Sequence, residues 1–211
     1  MNTSGLNRRT LAQIDYYPEP REIYEKIIDP ETDWPYSTSA QLQGQTTRLL
    51  ARDKALAAVL YNAELRISEA ERLTKKQFKT KPLRIIAVKL SKAEKHSKIT
   101  GKIITRKDLY RKEIRLATKG YRGKITELIL QYLNLVENEE KLLFCIGNSR
   151  VDQIIKRKLG VPPHWLRAFG ENELYQLWDN DLIAVAHHVQ VDPRTLAKYI
   201  HRTPEKYLNR E

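Results

Sequence analysis

The sequence predicts an α+β fold that is mainly helical and carries a small antiparallel sheet. Two observations support this: most long segments repeat apolar residues at helical spacing, and residues 83–88 form a short β-branched run after a proline. The length of 211 residues suffices for one domain with a sizeable core. We therefore expect an N-terminal arm with one short helix over residues 1–45 and a domain with a C-terminal tail over residues 46–211.

The first elements follow from these patterns in chain order. Residues 22–28 predict a small helix within the arm. A long helix begins near Thr46, where leucines and a valine recur at helical spacing, and it breaks at residues 62–64. A short helix is expected over residues 68–73, with Ser68 as its N-cap.

The sheet and the remaining helices follow. Residues 83–88 are expected to pair antiparallel with residues 110–116, and the lysine-rich stretch 91–107 between them predicts a long hairpin or a mobile loop. Asp192 before Pro193 is a capping pair, because Asp accepts from the first free N–H groups and Pro suits the first helical position. The later helices are predicted over residues 124–135, 150–159, 164–178, 182–188 and 194–202.

The charge of the chain points to a polyanionic partner. The net charge is +12, and residues 72–124 alone contain 19 basic and 3 acidic side chains. No run reaches the length of a membrane span, and the N-terminus has no signal peptide. The single cysteine, Cys145, stands in an apolar run and is expected in the core, so we expect the protein to work in a reducing cytoplasm.

Four side chains carry the candidate chemistry. His164 and Arg167 lie three positions apart, Arg66 lies in an earlier segment, and Tyr199 follows Arg167 by 32 positions. Arginine presents a planar fork of donors that matches phosphate oxygens and stays charged. A tyrosine hydroxyl acts as a covalent nucleophile when it is activated beside its electrophile. These residue types suit an attack on a phosphodiester.

In these segments the chain resembles the tyrosine recombinases, or phage-type integrases. The similarity covers about residues 46–205 and includes the helix and arginine segment 52–69, the segment 143–150, the His-x-x-Arg motif at 163–167 and the nucleophile helix 192–201. The resemblance implies a catalytic domain over residues 46–211, of possible archaeal or viral origin. It implies site-specific DNA cleavage and rejoining, as in integration or excision of a viral or mobile element.

The resemblance also implies a role for each site residue. Arg66 and Arg167 would clamp the scissile phosphate, and His164 would donate a hydrogen bond or assist proton transfer. Tyr199 would form a 3′-phosphotyrosyl bond. A lysine near the hairpin turn would protonate the leaving 5′-oxygen; Lys89, Lys92 and Lys95 are the candidates, and we favour Lys92. The covalent bond conserves the energy of the phosphodiester, so no cofactor, metal or small-molecule ligand is expected.

Three departures from the family pattern bear on activity. The position of the family's second histidine or tryptophan falls on Gln190, although a one-turn shift would bring in His188 instead. Glu64 stands where the family has a glycine, and the residues after Arg167 are only loosely similar. Additional contacts to DNA phosphates are expected from Lys89, Lys95, Arg115 and Arg150.

The expected partner is double-stranded DNA, on which the chain would assemble as a tetramer in a prokaryotic cell or a virus-infected host cell. Two other interpretations stay open. The chain could be a catalytically weakened, DNA-binding relative of the recombinases, which Gln190 and the shortness of the N-terminal arm favour. It could also be an unrelated basic protein that binds RNA or the nucleoid through residues 72–124.

Overall fold

Helices dominate the computed structural model, which describes residues 18–28, 43–89, 94–96, 103–105, 110–197 and 200. The helices are α1 (Pro20–Ile28), α2 (Gln43–Asn62), α3 (Ile67–Ala70), α4 (Gly120–Asn134), α5 (Asn148–Leu159), α6 (Pro163–Leu177), α7 (Leu182–Val189) and α8 (Pro193–Leu196). The strands are β1 (Phe78–Thr80), β2 (Leu83–Lys89), β3 (Glu94–His96), β4 (Ile103–Thr105) and β5 (Tyr110–Arg115). The predicted mainly helical α+β class is confirmed. None of the helices described has the length and apolar content that crossing a membrane requires.

The main sheet has three antiparallel strands in the order β1-β2-β5. Ile85 of β2 pairs with Ile114 of β5, and both side chains are fully buried, so this face of the sheet covers the core. The predicted pairing of residues 83–88 with residues 110–116 is confirmed. The stretch predicted as a hairpin or a loop contains β3 and β4, which pair with each other as a separate two-stranded sheet.

Helix α2 lies at the centre of the core and packs against both α4 and α6. Leu56 and Leu60 of α2, Ile129 of α4 and Phe169 of α6 are all buried in the same apolar cluster. Helix α1, which falls in the predicted arm, also contributes to this cluster through Ile23 and Ile27. A second, smaller cluster around Val185 and Leu196 joins α6, α7 and α8 and includes Ile200.

Gly170 sets the close approach of α6 to the end of α2. A Cβ atom at this position would lie 2.1 Å from the backbone oxygen of Tyr61. Any larger residue would therefore push the two backbones apart, which explains a glycine in the middle of a helix despite its low helix propensity. This contact fixes the position of the α6 turn that precedes Gly170 relative to the segment that follows α2.

Two local predictions are wrong, and one is confirmed. The N-cap residue of α3 is Arg66 rather than Ser68, and the acceptor at this helix start is the Glu69 carboxylate, which accepts the Arg66 backbone N–H at 2.8 Å. Cys145 is exposed, whereas its neighbours Leu143 and Phe144 are buried. Asp192 does cap α8, since its side chain accepts from the Arg194 backbone N–H at 2.8 Å.

Candidate active site

Arg66, His164 and Arg167 line one cleft with a volume of about 820 Å³. Arg66 begins α3, while His164 and Arg167 lie in the first turns of α6, so residues about 100 positions apart converge. The remaining lining residues come from the segments around α3, α5, α6 and α8: Leu65, Ile67, Ser68, Asn148, Ser149, Asp152, Pro163, Ala168, Glu171, Val191 and Thr195. The described part of the chain thus gathers three of the predicted catalytic residues in one place.

Arg66 is held by Glu69 and remains accessible. Its Nη1 donates to Oε1 of Glu69 at 2.9 Å, and its backbone N–H donates to Oε2 of the same carboxylate at 2.8 Å. Glu69 is buried, but 42% of the Arg66 side chain is exposed. The buried carboxylate therefore orients the guanidinium while leaving part of it open to a ligand.

Arg167 lies deeper and contacts two carboxylates. Its Nε donates to Oε1 of Glu171 at 2.7 Å, and its Nη1 lies 3.6 Å from Oε2 of Glu69. Only 11% of the Arg167 side chain is exposed. Glu69 thus links the two arginines of the cleft, and we call Arg66, Glu69, Arg167 and Glu171 the Arg167 cluster.

His164 is poised to be neutral near physiological pH. Partial burial lowers the pKa of its imidazole below 6.5, nearby Lys156 lowers it further, and Asp152 opposes the shift. A neutral imidazole offers one donor and one acceptor, so it suits both hydrogen bonding to a phosphate oxygen and acceptance of a proton.

Two helix N-termini border the cleft and make it attractive to anions. Asn148 and Ser149 open α5, and Pro163 and His164 open α6, and all four line the cleft. The unpaired N–H groups of a first helical turn carry a partial positive charge. Together with the two arginines, they favour a negatively charged ligand such as a phosphate.

Tyr199 and Lys92 lie outside the described residues. Described residues on both sides of Tyr199 are informative, because Thr195 lines the cleft and the Ile200 backbone N–H donates to the Leu196 oxygen at 3.0 Å. The chain on both sides of the predicted nucleophile is therefore attached to the element that borders the cleft.

Gln190 and His188 are both absent from the described lining of the cleft. Gln190 is exposed and ends α7 in a left-handed conformation, with φ 51°. His188 points elsewhere, with Nε2 3.6 Å from Oε2 of Glu64 and its ring packed edge-on against Trp178. Which of them fills the second histidine role stays a prediction.

The four residues expected to contact DNA phosphates are spread over the sheet and α5. The exposed Arg150 side chain follows the cleft residues Asn148 and Ser149 in α5. Arg115 is 81% exposed and donates to Glu113 at 3.1 Å. Lys89 ends β2 and Lys95 lies in β3, so their backbones belong to the two separate sheets.

Glu171 is the site residue that the sequence prediction missed. It lies four positions after Arg167 on the same helix, which is the spacing of a helical ion pair. That spacing was available as a signal, but such pairs usually lie on exposed faces. Here the Glu171 side chain is only 5% exposed, and its burial raises the pKa of the carboxyl although Arg167 opposes the shift.

A second arginine network lies next to the cleft but does not line it. Arg122 of α4 donates to Glu64 through Nη2 and to Glu173 through Nη1 at 2.7 Å, and Tyr61 donates to Glu173 at 2.8 Å. The two carboxylates outweigh burial and raise the pKa of Arg122. We call Tyr61, Glu64, Arg122 and Glu173 the Arg122 cluster.

Comparison with known proteins supports a fold assignment. The sequence matches no protein-family model, and no curated protein matches it. Among solved structures, the chain is similar to the XerH site-specific recombinase bound to its difH substrate in a pre-cleavage complex, with 20% identity and a TM-score of 0.56 over 90% of this chain and 51% of that chain. The post-cleavage complex of XerH with a palindromic difH substrate is also similar, with 20% identity and a TM-score of 0.59 over 98% of this chain and 55% of that chain.

The chain therefore has a divergent fold of the tyrosine-recombinase catalytic-domain type. It spans about half the length of these solved structures. At this level of identity the similarity establishes the fold alone.

Proposed function

We propose that this chain cleaves and rejoins DNA strands at specific sites through a covalent bond to Tyr199. The observation that supports this most is the convergence of Arg66, His164 and Arg167 on one cleft, which Thr195 also lines four positions before Tyr199. Both arginines line a solvent-accessible cavity of a size that accommodates a phosphodiester.

The two arginines would bind the scissile phosphate. Arg66 and Arg167 are tied to the shared carboxylate of Glu69, so their separation is fixed before the ligand enters. Preorganised donors stabilise the charge that develops on the phosphate oxygens without any reorganisation during the reaction. The N-termini of α5 and α6 add partial positive charge at the same cleft.

In the cleavage step, the Tyr199 oxygen would form a bond to phosphorus while the bond from phosphorus to the 5′-oxygen breaks. Neutral His164 would accept the phenolic proton or hydrogen-bond the phosphate, and Lys92 would give a proton to the leaving 5′-oxygen. Attack by the 5′-hydroxyl of another strand would reverse these steps and restore a phosphodiester. No net oxidation or hydrolysis occurs.

The same proposal includes the organisation of the protein on DNA. Residues 46–211 would be the catalytic domain and residues 1–45 an arm, with Lys89, Lys95, Arg115 and Arg150 contacting the backbone of double-stranded DNA. Strand exchange between two duplexes needs four tyrosines, so a tetramer would form on DNA. An origin in a viral or mobile element is part of this proposal.

The second candidate function is DNA binding without turnover. It is favoured by the position of Gln190, which is exposed and outside the described lining of the cleft. It is also favoured by Glu171, a buried negative charge beside Arg167 that a bound phosphate must overcome. This candidate predicts salt-sensitive DNA binding that does not depend on the Tyr199 hydroxyl.

A covalent trapping experiment separates the two functions. The protein is incubated with nicked duplexes of random sequence, and DNA retained after SDS treatment is recovered and sequenced. We expect a covalent adduct with the wild-type chain and none with Tyr199→Phe. Tyr121→Phe is the matched control, because Tyr121 is an exposed tyrosine of α4 that does not line the cleft. It should form as much adduct as the wild type.

The outcome that contradicts the enzymatic proposal is equally definite. If the wild-type chain binds duplex DNA but forms no adduct with any sequence in the pool, including the DNA that flanks its own gene, DNA binding without turnover is the better description. An adduct that persists in Tyr199→Phe would assign the nucleophile to another residue.

A further inference from the structure

Arg167 has two carboxylates where one would suffice to orient it. Glu69 lies 3.6 Å from its Nη1 and also binds Arg66 at 2.9 Å, so Glu69 serves both arginines. Glu171 contacts the Nε edge of Arg167 at 2.7 Å, lines the cleft and is only 5% exposed. Glu171 is thus a buried acid at the ligand-binding surface of the site.

The charges of the cluster balance before any ligand enters. With both carboxylates ionised, Arg66 and Arg167 are matched by Glu69 and Glu171. The neutral His164 adds nothing, and Asp152, which also lines the cleft, is paired with Lys156 at 2.6 Å. A phosphodiester bound to Arg167 would bring one further negative charge next to a pair of side chains that are only 11% and 5% exposed. An uncompensated charge of this kind is strongly unfavourable, and buried groups usually avoid it by a change of protonation.

Glu171 is the member of the cluster best suited to that change. It has one arginine as a direct partner, whereas Glu69 has two. The other charged groups around it are Arg66, which favours its ionised form, and Glu64, which disfavours it. Glu64 is in turn bound by Arg122 and lies 3.6 Å from His188, so these groups set the background charge.

We propose that Glu171 is a positioning residue for Arg167 and that it takes up a proton from solvent when a phosphodiester occupies the cleft. The inference rests on the proposed function of the cleft as a phosphate site. A protonated carboxyl still has a carbonyl oxygen that accepts from Nε of Arg167, so the guanidinium stays in place while the negative charge is removed. The cluster then holds one net positive charge against the ligand.

The sign of the pH dependence follows from this linkage. If binding is accompanied by proton uptake, affinity for the phosphodiester rises as pH falls, by at most about tenfold per pH unit for one proton. The dependence is confined to the interval between the pKa of Glu171 in the free cleft and its higher pKa in the occupied cleft. Replacement of Glu171 by Gln keeps the acceptor, removes the titration, and should strengthen binding above that interval.

The test uses dimethyl phosphate, a phosphodiester that keeps a single negative charge throughout the neutral pH range. The full chain carries His164→Gln, so that the imidazole cannot take up the proton instead. The side-chain carboxyl carbons of its glutamates are labelled with ¹³C and titrated by NMR with and without the ligand, and Glu171→Gln assigns the resonance. We expect the Glu171 titration to move to higher pH when dimethyl phosphate is bound.

Glu173→Gln is the matched control. Glu173 lies on the same helix and is bound by Arg122, but it does not line the cleft. We expect this variant to keep the pH dependence of ligand binding, and Glu171→Gln to lose it. Thermal unfolding shows whether Glu171→Gln folds. If it does not, the Glu171 resonance can be assigned through its shift in Arg167→Gln. The test is then the change in the Glu171 titration on ligand binding in the protein that keeps Glu171.

The outcomes distinguish this inference from the function on which it rests. If binding of dimethyl phosphate requires Arg167 but the Glu171 resonance does not move, the proton-uptake inference is wrong and the phosphate site stands. If the affinity for dimethyl phosphate depends on pH in the same way in Glu171→Gln as in the protein that keeps Glu171, the inference is likewise wrong. If dimethyl phosphate does not bind, or binds equally well in Arg167→Gln, both the inference and the phosphate site at this cleft are overturned.

Discussion

Arg122 and Arg167 each lie between two glutamates, yet they differ in what else surrounds them. Arg122 donates to Glu64 and Glu173 and to two backbone oxygens, and its side chain is 8% exposed. Arg167 hydrogen-bonds through Nε to Glu171, while its Nη1 is 3.6 Å from the nearest carboxylate oxygen of Glu69. The two arginines are therefore similarly buried and have similar partners. They differ in how many of their N–H groups donate to a described protein acceptor, and Arg167 has fewer such bonds than Arg122.

This difference separates a structural arginine from one that is available to a ligand. The protein supplies acceptors to both terminal nitrogens of Arg122, so a further anion has nothing to bind. Within the part of the chain that the structure describes, the terminal nitrogens of Arg167 have a nearby charge but no protein hydrogen bond, and the residue lines the cleft. The geometry of the donors, more than burial, distinguishes the two clusters.

The largest expected effect comes from removal of Arg122. Arg122→Ala leaves the fully buried Glu64 and the 13% exposed Glu173 without their shared cation, which should lower the free energy of unfolding by about 3–5 kcal/mol. Urea denaturation measures it, and Arg150→Ala, which removes an exposed arginine, is the control. A loss below about 1 kcal/mol, typical of a surface pair, would mean that the Arg122 cluster is not the closed network described here.

A smaller effect is expected at the point where the two clusters meet. Gly170→Ala would force its Cβ against the Tyr61 oxygen, and the overpacking should lower the free energy of unfolding by about 1–3 kcal/mol. Because Gly170 precedes Glu171 and its own oxygen accepts from Arg122, both clusters should be disturbed. Thermal unfolding measures the stability loss, and Gly147→Ala is the control, since a Cβ there meets no atom within 4 Å. Equal effects at both glycines would contradict the close approach of α6 to α2.

The smallest effect on stability is expected for Arg66, the more exposed arginine of the Arg167 cluster. Arg66→Ala removes a guanidinium that is 42% exposed, so the free energy of unfolding should fall by about 0–1 kcal/mol. Formation of the Tyr199 adduct should nevertheless slow by about 10²–10³-fold, as for other preorganised donors to a transition state. A time course of adduct formation on the identified DNA site, with samples quenched in SDS, gives the rate of adduct formation. A variant with normal adduct formation would remove Arg66 from the proposed clamp.

The fold was largely predictable because its helices show a clear apolar period. The C-terminal end of α2 followed from the predicted break at residues 62–64, although the helix begins at Gln43 rather than near Thr46. The pairing of β2 with β5 followed from the β-branched run. Cys145 was misplaced because local hydrophobicity does not reveal which side chains of an irregular segment point inward; Leu143 and Phe144 do so, and Cys145 does not. Ser68 lost its predicted capping role to the Glu69 carboxylate, a stronger acceptor that reaches the same turn.

The candidate site was predictable only as far as family resemblance extends. Arg66, His164 and Arg167 were identified from motifs, and the structure adds that they line one cleft. Glu171 carried no such motif, and its spacing from Arg167 is that of an ordinary surface pair. Glu171 is distinguished from an ordinary surface residue by its burial. This burial depends on the contact of α6 with the segment after α2, and the sequence around Glu171 does not reveal that contact.

The convergence of two helix N-termini on the cleft has a practical consequence for handling the protein. Sulfate and inorganic phosphate are small oxyanions with the same preference for free N–H groups and guanidinium forks as a DNA phosphate. Purification or crystallisation in ammonium sulfate would load the cleft with a competitor and mask weak substrates. Binding and trapping measurements are best made in dilute chloride or acetate buffers, with added sulfate serving as a simple inhibitor to map occupancy.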